Sequence, residues 1–170
     1  MSVNRYRPHL VVVMEDDSYR QLVNGAKLYA RFSHNHIDAR KLLGGWTKVL
    51  DGIDEEGELL KELRRFTHMH LLLLIDFDNQ YDRRYEIFRE RCQKADCYNR
   101  SFLLGIDHDQ AEDLKHTQRN SFESLGKELV EGCLDPECPN SAWNEEHLRC
   151  NQTEIERMKK AGLFEWLFLA

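Results

Sequence analysis

The apolar residues of this chain fall into short unbroken runs separated by amphipathic stretches. His9-Leu-Val-Val-Val-Met14, His70-Leu-Leu-Leu-Leu-Ile75 and Ser101-Phe-Leu-Leu-Gly-Ile106 are too short to cross a membrane and are not interrupted by alternating polar positions, so they read as strands covered on both faces. Residues 32–39 alternate weakly and predict a further strand, running into Leu42-Leu43-Gly44-Gly45, where paired glycines mark a turn. Helical spacing joins Tyr19, Leu22, Val23, Ala26 and Ala30 over 18–29, and Val49, Leu50, Ile53, Leu59, Leu60 and Leu63 over 46–66, the latter interrupted near Gly52 or Gly57. A charged helix with a partial stripe at Tyr85, Ile87, Phe88 and Cys92 follows over 81–95, and another runs over about 111–133.

Strand then helix, four times over, predicts a compact doubly wound α/β domain at 1–133 with a mainly parallel four-stranded sheet. Beyond Leu134 the texture changes. Asp135-Pro136-Glu-Cys-Pro139 is a turn-rich connection, 144–161 has helical spacing, and Leu163-Phe-Glu-Trp-Leu-Phe-Leu169 is too apolar for water. The expectation is a helical C-terminal extension, 134–170, packed on the domain or on a partner.

Composition narrows the class. At 170 residues, 41% hydrophobic and 32% charged, the chain has the size and balance of one soluble globular domain. No run reaches the length of a membrane helix and the first residues lack the apolar core of a signal peptide, so a cytoplasmic protein without membrane association is expected. A net charge of −6 argues against wholesale electrostatic adhesion to nucleic acid or anionic lipid. It leaves room for a phosphodiester substrate, because carboxylates that hold metals contribute to that negative count. Five cysteines favour reduced thiols over a disulfide framework.

Three apolar runs end in acids. Glu15-Asp16-Asp17 follows the first, Asp76-Phe-Asp78 closes the second, and Asp109-Gln-Ala-Glu112-Asp113 lies just beyond the third. In a parallel sheet these ends share one edge, where open α/β sheets place their ligands. Asp76 and Asp78, two apart, point to the same side of an extended chain. Carboxylates so gathered suit a hard divalent cation, Mg²⁺ or Mn²⁺, which takes oxygen ligands and keeps waters for a phosphate to replace.

A glutamate ending the first strand and Asp-x-Asp ending a later one, about sixty residues on, resembles the signature of the Toprim domain, in particular the small and nuclease-type members related to OLD-family nucleases. The likeness spans roughly 9–116. It implies a Mg²⁺-dependent fold that cleaves or joins phosphodiesters, with Glu15 as general acid/base or metal ligand and Asp76 and Asp78 as metal ligands. It further implies Glu112 or Asp113 as an additional ligand and Lys115 as a cation for the transition state. The chain departs from the pattern at Asp16, where the family has glycine, and at Ser18 and Tyr19, where nuclease-type members carry another acid. A nucleic acid substrate follows from the resemblance, and a chain this short without an ATPase motif is expected to work beside a larger protein or as a homo-oligomer.

Other families share parts of the pattern. A response-regulator receiver also opens with a strand ending in paired acids, here Asp16 and Asp17, with Asp76 or Asp78 as phosphoacceptor, but no strand ending in lysine follows the fourth helix. Haloacid-dehalogenase-like phosphatases use Asp-x-Asp after an apolar run, but followed by threonine or valine where Gln80 stands. A catalytically silent adaptor keeping an old metal site would suit the apolar tail.

Arg83 and Arg84, just past the aspartate pair, are candidate phosphate contacts, though an exposed first helical turn also accounts for them. Cys133, Cys138, His147 and Cys150 are ligands zinc favours. Their spacings do not match a paired knuckle, so buried thiols are expected. His34, His36, His68 and His70 form two alternating pairs explained by strand-face packing, and Trp46 and Trp166 read as core or interface anchors. His108, beside Asp109, is placed to carry protons.

Overall fold

The computed structural model describes residues 3–41, 43–107, 121–134 and 141–169. Four strands, β1 (His9–Met14), β2 (Ile37–Ala39), β3 (Met69–Asp76) and β4 (Ser101–Ile106), form one parallel sheet in the order β2-β1-β3-β4. From β1 the chain passes outward through α1 (Asp17–Lys27) to β2. It returns past β1 by α2 (Trp46–Asp51) and α3 (Glu58–Arg65) to β3, then reaches β4 through α4 (Tyr81–Lys94). The direction of winding thus reverses between β1 and β3, which makes their carboxyl ends the topological switch point. Then follow α5 (Phe122–Leu134), α6 (Gln152–Lys160) and α7 (Phe164–Leu167).

The unbroken apolar runs have the cause expected for a parallel sheet, since both faces are covered. Leu10, Val12, Met14, Leu72, Leu74 and Leu104 pack on one side with residues of α1, α5, α6 and α7. Val11, Val13, Leu71, Leu73 and Ile75 pack on the other with residues of α2, α3 and α4. On the first side α1 and α5 meet backbone to backbone: a Cβ on Gly25 would stand 1.8 Å from the Glu123 carbonyl oxygen, and one on Gly126 would stand 2.0 Å from that of Leu22.

β2 is shorter than the alternation at 32–39 predicts, and His34 and His36 lie in a 3₁₀ turn, His34–His36, rather than a strand. The reason is competition from the tail. Phe32 forms an antiparallel bridge with Phe168, Ser33 N–H donates to the Leu167 carbonyl at 2.7 Å, and Leu169 N–H to that of Arg31 at 2.8 Å. Trp166 lies against His36 and His70, with ring centroids 5.6 and 5.7 Å apart. The apolar C-terminal segment therefore packs back on the sheet. Among the described residues no helix is long and apolar enough to cross a membrane.

The other edge is closed by side chains. A free parallel edge presents unpaired amides and carbonyls to any passing strand. On β4 the Asn151 amide takes the place of a neighbouring peptide, accepting from Gly105 N–H at 2.9 Å and donating to Gly105 O at 2.7 Å. Glu154 Oε1 accepts from Leu103 N–H at 2.9 Å, and Arg157 donates to the Ser101 carbonyl. Asn151→Ala leaves both Gly105 groups unpaired, so a loss of about 2–3 kcal/mol in urea unfolding is expected. Light scattering should show more self-association than for wild type, as the edge is uncovered.

Candidate active site

Each strand end contributes through its own local chemistry. After β1, Glu15 N–H extends the ladder by donating to Leu74 O at 3.0 Å, which places the side chain beside the end of β3. There Glu15 Oε2 accepts from Asp76 N–H at 2.9 Å. Asp16 turns away to cap α1, accepting from Ser18 N–H at 2.9 Å and Tyr19 N–H at 3.3 Å, the usual use of aspartate at a helix start. Tyr19, one turn into α1, is fully buried. Its hydroxyl lies 2.6 Å from Asp76 Oδ1 and 2.7 Å from Ile75 O, able to donate to either, and accepts from Ile106 N–H at 3.1 Å. One phenol thus ties together the ends of β3 and β4.

The turn after β3 is in the left-handed region at Asp78 and Asn79, with φ of 47° and 56°. Asp and Asn tolerate that region better than other non-glycine residues, yet two in succession are uncommon, and such backbone concentrates at functional sites. Asp107, just past β4, sits beside the turn: burial raises its carboxyl, opposed by the backbone amides of Asn79 and Tyr81. Arg84, predicted to be exposed, is buried. It donates to the Asp76 carbonyl, pairs with Asp78 Oδ2 at 2.6 Å, and lies over the Trp46 ring at 4.8 Å. Its Nε is buried with no hydrogen-bond partner among the described residues. Arg83 is exposed and reaches Gln80 at 3.2 Å.

The electrostatics follow from this packing. Burial pushes the Asp76 carboxyl up, against the Tyr19 hydrogen bond, with the Asp16 and Asp78 charges adding to the rise. Burial likewise raises Glu15, opposed by the Asp76 amide and reinforced by the Asp76 charge. A group whose pKa is higher folded than unfolded favours the folded state at acid pH and loses that contribution as pH rises through the folded value. Asp76→Asn keeps an acceptor for Tyr19 but removes the buried charge. Its Tm should therefore exceed that of wild type at pH 7, with the gap closing as pH falls through the carboxylate range. Burial lowers His70 to about 4, which costs stability as pH falls below the usual histidine value; the comparison cancels it, since both proteins carry His70.

The structure thus gathers Glu15, Asp76, Asp78 and Arg84 and places Arg83 at the rim. Glu112, Asp113 and Lys115, with His108 and Asp109, lie outside the described residues. Of the cysteines weighed as zinc ligands, Cys138 lies outside them too, while Cys133 packs against the core on one face of the sheet and Cys150 against the core on the other. Among the described residues no group of three or more His, Cys, Asp or Glu side chains is arranged to hold a metal. Tyr19 and Asp107 were not singled out from the sequence as site residues. Tyr19 had a signal, standing where the resembled family carries an acid; Asp107 had only its place at a strand end.

What fold and site together define is a doubly wound parallel α/β protein with two half-buried carboxylates and a buried arginine at its switch point. No protein-family model matches the chain, and no curated protein and no solved structure matches it.

Proposed function

We propose that this chain is a Toprim-like enzyme, cleaving or transferring phosphodiesters of nucleic acid with the help of Mg²⁺ or Mn²⁺. The observation that carries this reading is the hydrogen bond from Asp76 N–H to Glu15 Oε2, which brings the Glu15 carboxylate to the end of β3, near enough for the Asp76 charge to raise it beyond the effect of burial. A divalent cation removes the cost of that arrangement. Mg²⁺ commonly uses one or two carboxylates, completing its shell with waters and substrate phosphate, so Glu15 and Asp76 fit as the pair that would hold it. Asp78 fits less well, because its carboxylate is taken by Arg84. When bound, such an ion polarises a phosphoryl oxygen and activates water.

The remaining roles belong to the chain. Tyr19 fixes the orientation of Asp76, Asp78 holds Arg84 over Trp46, where its positive charge favours a phosphate nearby, and the exposed Arg83 supplies donors for that phosphate. Glu15, with one oxygen held by the Asp76 amide, is placed to take a proton from an attacking water. Glu112, Asp113 and Lys115 complete the set as further ligands and as a cation in this proposal. It also places the protein in the cytoplasm, beside a larger partner or as a homo-oligomer. Use of Asp16 as a helix cap weighs against a receiver, which would need it at the cation.

The test is incubation of the purified protein with Mn²⁺ and plasmid or RNA, beside a folded Asp76→Ala/Asp78→Ala control. Metal-dependent cleavage lost in the control supports the enzyme. Acetyl-phosphate labelling of an aspartate would point to a receiver, and inertness in both assays to an adaptor.

A further inference from the structure

Between the sheet and the α1–α5 pair lies a partly open apolar pocket of about 140 Å³. Val12, Leu74 and Leu104 line its sheet side, and Ala26 of α1, Val130 of α5 and Phe168 of the tail line the opposite side. Voids persist where their surroundings cannot relax inward, and here each wall is pinned. The helices are locked to each other at Gly25 and Gly126. Trp143 Nε1 donates to Leu129 O at 2.7 Å, and the tail is bridged to Phe32.

The polar groups at the lining are committed elsewhere. The Tyr19 hydroxyl serves Asp76, Ile75 and Ile106, both peptide groups of Gly105 are taken by Asn151, and the Trp143 N–H is bonded. An ordered water needs two to four polar partners, which this lining does not offer, and an apolar space of this order accepts a molecule about the size of benzene. We infer that this pocket is a binding site for a small, uncharged, apolar molecule of that size, distinct from the carboxylate site with which it shares the Tyr19 side chain.

The probes are benzene and, as a charged control of the same ring, benzoate, added to the full chain. At ten times its dissociation constant benzene should raise Tm by about 4 °C and shift the methyl resonances of Val12, Leu74 and Leu104, while benzoate does neither. Ala26→Leu and Cys133→Leu fill the cavity from two walls, and each folded variant should lose the benzene response. The wild-type resonances give the answer even if both variants unfold. Unchanged Tm and resonances in the wild type overturn the inference. So does an equal effect of benzoate, or an undiminished benzene response in the filled variants.

Discussion

Arg157→Ala should lower stability by about 3–5 kcal/mol, visible as a Tm fall on the order of 10 °C. The reason lies in its partner. Glu154 is 1% exposed, its two oxygens accepting from Leu103 N–H and the Tyr85 hydroxyl, and Arg157 supplies its counter-charge with contacts of 2.5 and 3.0 Å. The same guanidinium donates to the carbonyls of Tyr98 and Ser101 and stacks over Tyr98 and Phe102 at 4.0 and 4.3 Å. Without it a carboxylate remains in the core with no neutralising charge. Glu154→Gln combined with Arg157→Met should recover much of the loss, because a neutral amide still meets Leu103 and methionine still covers the rings. A double variant as unstable as Arg157→Ala would assign the effect to lost packing rather than to an orphaned charge.

The second large effect separates the two aspartates. On the function proposed above, Asp76→Asn should reduce Mn²⁺-dependent cleavage about a thousandfold, the scale of losing a preorganised electrostatic group at a reacting centre. Asp78→Asn should cost about 10- to 100-fold, the scale of a residue that orients another. The sequence offers no reason for inequality, since both sit in one Asp-x-Asp. The structure does: Asp76 is half-buried and held by Tyr19, whereas Asp78 lies beyond the strand, in left-handed backbone, paired with Arg84. Equal losses at both positions, with both variants folded, would place Asp78 alongside Asp76 at the reacting phosphate and remove the positioning role given to it here.

Where a decision is local, the chain reveals it directly. Continuous apolar runs such as Leu71–Leu74 need two covering layers whatever lies around them, and helical spacing from Tyr19 to Ala26 needs only one face to be buried. Hence β1 and β4 begin and end where the runs do, and α4 follows its partial stripe. The pairing of Phe32 and Ser33 with the tail was not legible, because it joins residues more than a hundred positions apart and overrides the weak alternation that predicted a longer β2. Arg84 is a similar case. A charge on a surface-like helix is written as exposed unless the partner is known, and its partners are the turn six residues earlier and Trp46 across the fold.

The sequence by itself determined the class of fold and the edge of the sheet where acids gather, because strand periodicity, helix spacing and turn residues act over a few positions. Tertiary structure alone decided which acids face one another, that Asp78 is neutralised while Asp76 is not, that Tyr19 ties two strand ends, and that Asn151, Glu154 and Arg157 close the exposed edge of β4. Those choices depend on distances between segments far apart in the chain, and on the burial that turns an ordinary carboxylate into a strained one. Neither is carried by the order of residues along it.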